Sequence, residues 1–148
     1  DYAAANNKEL ENFYPAFKAV KDYVVQAPEK TTGWYLPSIG QWYDFTANLG
    51  GLPSWDDAIN EGNDLTPNLY RWSNQTELVS KINAYFEPLG TGNYDAIPNG
   101  SYQKFFSSST YSDSGIWTWF VGKQANVVQC WHNVRYNSDS AVRPILAF

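Results

Sequence analysis

Helix and strand signals are segregated along this chain: helix starts and amphipathic spacing are concentrated before Glu87, and short strands punctuated by turns dominate after it. Helices first and antiparallel strands last read as an α+β domain, with helices packed on one side of a small twisted antiparallel sheet. Leu10, Phe13, Tyr14, Phe17, Val20 and Val24 recur at helical spacing over residues 8–25. Pro15 lies inside that pattern, so the helix either begins near Asn12 with Pro15 in its first turn or kinks there. A short aromatic strand, Trp34 to Leu36, follows Gly33 and stops at Pro37. The next helix has both ends written in the sequence. Ser38 and Gln41 make a capping box, Gly50 and Gly51 a stop, and Ile39, Trp42, Phe45 and Leu49 its apolar side.

Leu52 to Trp72 is rich in Pro, Asn, Asp and Gly and reads mostly as loop, with at most one helical turn from Ser54 to Glu61. A third helix starts at the N-cap Asn74, with Glu77 at the capping-box position and Leu78, Val79, Ile82, Tyr85 and Phe86 facing inward. Strands are expected near Gln103 to Ser107, Ile116 to Val121, Asn126 to His132 and Val142 to Phe148. Turns separate them at Ser112 to Gly115, Gly122 to Gln124 and Asn137 to Ser140. In Ile116 to Val121 the alternation sends Trp117, Trp119 and Val121 to one face and Ile116, Thr118 and Phe120 to the other.

The 148 residues suit one domain, 1–148, with residues 1–30 as its helical N-terminal extension. No apolar run approaches the roughly 20 residues of a membrane-spanning helix, so no span is expected in this segment. A net charge of −5 offers no positive field for phosphates, which argues against nucleic acid. One cysteine, Cys130, and one histidine, His132, exclude an internal disulfide framework and multi-thiolate or His-rich metal sites. Stability has to come from packing. Seven Trp, eleven Tyr and eight Phe, 18% of the chain, exceed what one core of this size readily hides, and surplus rings mark recognition surfaces.

Three strings carry a resemblance: Gly33-Trp34-Tyr35-Leu36-Pro37-Ser38 with Gln41-Trp42, Phe105-Phe106-Ser107-Ser108-Ser109 with Tyr111, and Val142-Arg143-Pro144 with Phe148. Their order and spacing resemble bacterial C-type-lectin-like domains with a W-x-LPS…W…(Y/W)-W-SS-(S/T)…VRPV-x-(A)F signature. That group includes surface proteins of the major paralogous family and, more distantly, the retroelement-diversified variable proteins. The resemblance covers roughly residues 31–148, with Phe106 where the family usually has Trp. It implies a C-type-lectin-like α+β fold with adjacent chain ends, and a ligand face built from the last two strands and their loops. Trp34, Leu36, Trp42, Trp117, Trp119 and Val121 would be core and Arg143 a structural polar anchor. The chain would be a module of an exported, extracellular or cell-surface protein, attached to further N-terminal domains.

Animal C-type lectins hold sugar through calcium, with neighbouring carboxylate and amide oxygens ligating the cation and sugar together. The nearest strings here, Glu87-Pro88-Leu89 and Trp131-His132-Asn133, lack required oxygens. Asp56, Asp57, Asn60, Glu61, Asn63 and Asp64 do not fit EF-hand spacing and read as a solvated acidic loop. No metal or other cofactor is expected. Cys130 and His132 share one face of a strand, but nothing nearby supplies an orienting group or an oxyanion hole. No spacing selects a pair of carboxylates for glycoside hydrolysis.

The last fifty residues concentrate Tyr, Trp, Ser, Asn and Asp at strand ends and turns, a mixture of rigid rings and adaptable polar groups typical of binding loops. The same mixture follows from strands and turns alone. With the resemblance, the expectation is a non-enzymatic domain that recognises a glycan or protein through Tyr111, Asp113, Phe120, Trp131, Asn133, Arg135, Tyr136 and Asn137. A carboxylate-based hydrolase acting on glycans through the segment Leu52 to Gly100, or a purely structural assembly domain, are the alternatives.

Overall fold

The computed structural model of the chain describes residues 14–51, 70–73, 75–92, 94–99, 102–122, 127–134 and 140–147. In chain order they form α1 (Pro15–Lys21), α2 (Ile39–Gly50), β1 (Tyr70–Ser73), α3 (Gln75–Ala84), a 3-10 turn (Glu87–Leu89), β2 (Gln103–Thr110), β3 (Gly115–Gly122), β4 (Val127–Val134) and β5 (Ser140–Ala141). The strands make one sheet in the order β1-β4-β3-β2-β5. Helices in the first half and most of the sheet in the second make this an α+β chain.

The start of α2 is built as its sequence requires. Ser38 Oγ accepts the Gln41 N–H at 3.2 Å and Gln41 Oε1 accepts the Ser38 N–H at 2.9 Å, which satisfies two donors at the helix entry. Gly51 ends the helix in the left-handed region at φ 64°, where a side chain would be strained. The buried face is rotated from the expected one. Trp42, Tyr43, Thr46 and Gly50 are buried, while Ile39, Phe45 and Leu49 are only partly so. Pro15 stands in the first turn of α1, where its missing N–H costs nothing. Residues 8–13, Asn74 and the short helix expected from Ser54 to Glu61 lie outside the described residues.

Antiparallel registers join β2 to β3, β3 to β4 and β4 to β1. β1 adds a strand at the end of the segment read as mostly loop: Tyr70–Ser73 pairs with Cys130 to Val127, and residues 52–69 lie outside the described residues. Four residues between a loop-like composition and a helix cap are too few to establish a period. The sheet is mixed, because Ser140 and Ala141 run parallel to Lys104 and Phe105. The strand expected from Val142 to Phe148 does not form over its described residues: β5 ends at Ala141, and Pro144 has no N–H to give and restrains Arg143 before it. Beyond it Ile145 pairs antiparallel with Tyr35, which is all that remains of the expected strand Trp34 to Leu36. Hydrogen bonds from Thr32 N to Ala147 O and between Tyr35 and Ile145 bring the segment before α2 beside the end of the chain.

The helices do not pack on one side alone. α2 and α3 cover one sheet face through Trp42, Tyr43, Leu78, Val79 and Ile82, against Phe105, Trp119, Val121, Val128 and Cys130. On the other face Ala16 and Val20 of α1, with Leu36, cover Phe106 and Ile116. β3 is consequently buried on both sides. Ile116 and Thr118 are inaccessible, and Phe120 is only 9% exposed. The run Ile116-Trp117-Thr118-Trp119-Phe120-Val121 is that of a strand covered on both faces, and alternation alone misassigned its second face. Trp119, Val121, Leu36 and Trp42 are core as expected, whereas Trp34 and Trp117 are half-buried. Tyr85, expected to face inward, is 61% exposed.

Stacking dominates the larger core. The Trp42 and Trp119 rings lie parallel with centroids 4.9 Å apart, and Phe45 meets both edge-on. The Trp42 indole N–H donates to Phe106 O at 3.1 Å, so its polar edge is satisfied within the core. Asn83 of α3 acts as a strand substitute for the chain ahead of β2. Its amide donates to Ile97 O at 2.8 Å and its carbonyl accepts the Ile97 N–H at 2.9 Å.

Candidate functional site

Two of the expected site residues, Tyr111 and Asp113, lie not on the last two strands but in the turn between β2 and β3, next to a serine bulge. Phe106 pairs with Thr118 and Thr110 with Ile116, so Ser107, Ser108 and Ser109 together oppose Trp117 alone. Such extra residues bend the strand and increase its twist. Each serine has a bond that holds the bulge. Ser107 Oγ donates to Trp117 O at 2.7 Å and accepts the Ser109 N–H at 3.2 Å. Ser108 N donates to Pro37 O at 2.8 Å. Ser109 Oγ accepts the Ile39 N–H at 3.0 Å, one of the donors a helix leaves open in its first turn. Two separate sequence strings, Leu36-Pro37-Ser38 and Ser107-Ser108-Ser109, thus form one joint between α2 and β2.

Beyond the bulge the turn is closed by Tyr111 N and Ser112 N, which both donate to Gly115 O, at 3.0 and 3.4 Å, and by Gly115 N donating to Ser112 O at 3.2 Å. Glycine at 115 leaves space for the side chains of Tyr111 and Ser112. A Cβ there would stand 2.7 Å from Ser112 Oγ and 3.2 Å from Tyr111 Cδ1. The Tyr111 ring lies across that glycine and meets Trp117 edge-on at 5.3 Å, yet remains 42% exposed. Ser112, Asp113 and Ser114 around it are exposed. The turn thus presents a ring of fixed orientation with hydroxyl and carboxylate groups beside it. Such a surface can stack against the apolar face of a ligand and hydrogen-bond its edge.

Of the other expected site residues, Asn133 pairs with Ile116 at the same end of the sheet. It is half-buried, and its amide donates to Ser140 Oγ at 3.5 Å. Trp131 pairs with Thr118 in β4, and its side chain is outside the described set. Arg135, Tyr136 and Asn137 lie outside the described residues. Phe120 does not belong to an open face. Tyr102 closes over it edge-on at 4.8 Å and takes the exposed position itself, at 61%, with Lys104 Nζ 5.4 Å from its ring centre. Tyr102 is one of the tyrosines concentrated in the last fifty residues. Its position just before β2 is the signal that it could cover a neighbouring strand.

Cys130 is fully buried, and burial pushes its thiol above the ordinary range, so it carries no thiolate at neutral pH. His132 pairs with Trp117. Among the described residues no group of three or more His, Cys, Asp or Glu side chains converges. The acidic residues from Asp56 to Asp64 lie outside the described set. Among the described residues no helix is long and apolar enough to cross a membrane.

Arg143 occupies a place for which its motif alone gave only an anchoring role. Val142 packs into the smaller core, and the Arg143 guanidinium carbon lies 5.9 Å from the Phe86 ring centre and 6.0 Å from that of Phe105, in the larger one. Its Nη2 donates to Asp95 O. Burial lowers its pKa, while Asp95 and Tyr23 act in the opposite direction.

Comparison of the chain with family models, with curated proteins and with solved structures finds no match.

Proposed function

We propose that this chain is a non-enzymatic ligand-binding domain with a C-type-lectin-like fold, part of an exported surface protein, recognising glycan or protein through the β2–β3 turn and the end of β4. The observation that carries the reading is Tyr111: a ring held by Trp117 and by the space left at Gly115, yet 42% exposed among polar turn residues. Further support comes from the joint between Pro37, Ile39 and the serine bulge, and from the pairing of Tyr35 with Ile145. Both give the motif strings structural work and leave the turn free for recognition.

The purified domain screened on glycan and protein arrays, with and without calcium, tests the reading. A specific ligand should appear, and Tyr111→Ala should weaken its binding at least about tenfold with the melting temperature little changed. An absence of any specific ligand, or equal binding by Tyr111→Ala, would overturn it.

A further inference from the structure

An arginine that serves only as a structural pin spends its donors. Its five N–H groups form a rigid fork, and buried examples are met by carboxylates and carbonyls over most of it. Arg143 is half-buried but makes a single hydrogen bond among the described residues, to the main-chain oxygen of Asp95. No carboxylate stands within ion-pair distance of it among those residues. Among the described residues Phe86 and Phe105 flank the guanidinium, Asp95 and Tyr23 act on its charge, and Phe86, packed on Phe45 at 6.4 Å, is stacked on the half-buried Tyr94 at 5.8 Å. Aromatic faces stabilise the cation without occupying its N–H groups. The result is a partly desolvated guanidinium whose other donors meet no partner among the described residues, and its position after β5 is set by packing of Val142 on the opposite core.

We propose that Arg143, with Tyr94, forms a second binding site, separate from the Tyr111 turn, for a carboxylate-bearing saccharide such as a uronic acid. The planar fork matches a carboxylate in two parallel bonds. The apolar C–H face of a sugar ring complements Tyr94. A monoanion fits better than a phosphate dianion, because Asp95 is adjacent and the chain carries a net charge of −5. This site stands whether or not the Tyr111 turn binds anything.

The test is an NMR titration of the intact domain with glucuronate, with glucose, acetate and inorganic phosphate as separate arms. Glucuronate should saturably shift the Tyr94, Asp95 and Arg143 resonances, acetate should act more weakly, and glucose should leave them unmoved. Arg143→Gln should abolish the response, and Arg143→Lys, which keeps the charge and loses the fork, should weaken it at least about tenfold. Tyr111→Ala should leave it unchanged, so that failure of the turn and failure of this site are told apart. If Arg143→Gln does not fold, Arg143→Lys alone decides the matter. Absence of saturable shifts, equal binding by Arg143→Lys, or phosphate binding as tightly as glucuronate would overturn the proposal.

Discussion

The three serines of the β2 bulge are identical in chemistry and adjacent in sequence, so their alanine variants test whether the described hydrogen bonds carry stability. Ser107→Ala removes a fully buried hydroxyl that both donates to Trp117 O and accepts from Ser109 N, and it strands two main-chain groups in the bulge. Leaving a buried donor or acceptor unmet costs about 1 to 3 kcal/mol, so a loss of about 2 kcal/mol is expected. Ser109→Ala strands one group, the Ile39 N–H at the start of α2, where the capping box remains to hold the helix. Its cost should be about 1 kcal/mol, the usual worth of a helix-start hydrogen bond. Ser108 contributes its main-chain N–H to Pro37 O, which alanine retains, so Ser108→Ala should stay within about 0.5 kcal/mol of the parent. Urea titration followed by tryptophan fluorescence reads the series, since Trp42 donates to Phe106 O beside the bulge. The midpoints should fall in the order Ser108, Ser109, Ser107 at constant slope. In thermal melts the Ser107 variant should lose about 4 to 8 °C. Equal effects at all three positions, or a larger loss at Ser108 than at Ser107, would refute the assignment of these bonds.

Two further perturbations follow from the same geometry. Gly115→Ala forces Ser112 Oγ to rotate and the Tyr111 ring to shift by a few tenths of an ångström, at a cost of about 1 kcal/mol; ring-current shifts of Trp117 protons should report the displacement, and an unchanged spectrum would contradict the packing. Cys130 has its folded-state pKa raised above its ordinary value of 9.0 by burial, so the unfolded chain releases its thiol proton first. The thiol's contribution is complete below about pH 9 and declines above it, by about 1.4 kcal/mol per pH unit. The parent should therefore lose stability between pH 9 and 10.5 more steeply than Cys130→Ala, and parallel curves would show the thiol to be accessible.

What the sequence disclosed divides by the range of the interaction concerned. The α2 capping box and the Gly51 stop are local chemistry within a few residues, and both are present as expected. The core strands were legible because Trp119, Val121 and Val128 lie in short apolar runs bounded by turn residues. β1 was not legible, because Tyr70–Ser73 becomes a strand through its pairing with β4, nearly sixty residues away, and has no period of its own. Phe120 failed for a related reason. Alternation assigns a residue to a face but cannot say whether that face is covered, and here Tyr102 covers it. The C-terminal strand failed locally, at Pro144, which has no N–H to give to a ladder.

The same distinction governs the site. The resemblance joined Pro37, the serine triplet and Arg143 as one signature, and the structure gives the first two mutually satisfying hydrogen bonds across some seventy residues of chain. A hydrogen bond that spans such a separation constrains both partners, so those strings can be explained by the fold alone. Tyr111 and Arg143 differ from them in having capacity left over. Tyr111 keeps an exposed ring after meeting Trp117, and among the described residues Arg143 keeps donors unmet after meeting Asp95 and two aromatic rings. Unspent capacity on a side chain fixed by its neighbours lowers the entropy cost of binding, since the group need not be ordered again when a ligand arrives. These two residues are therefore where substitutions should separate recognition from stability, whereas substitutions in the serine joint should change stability first.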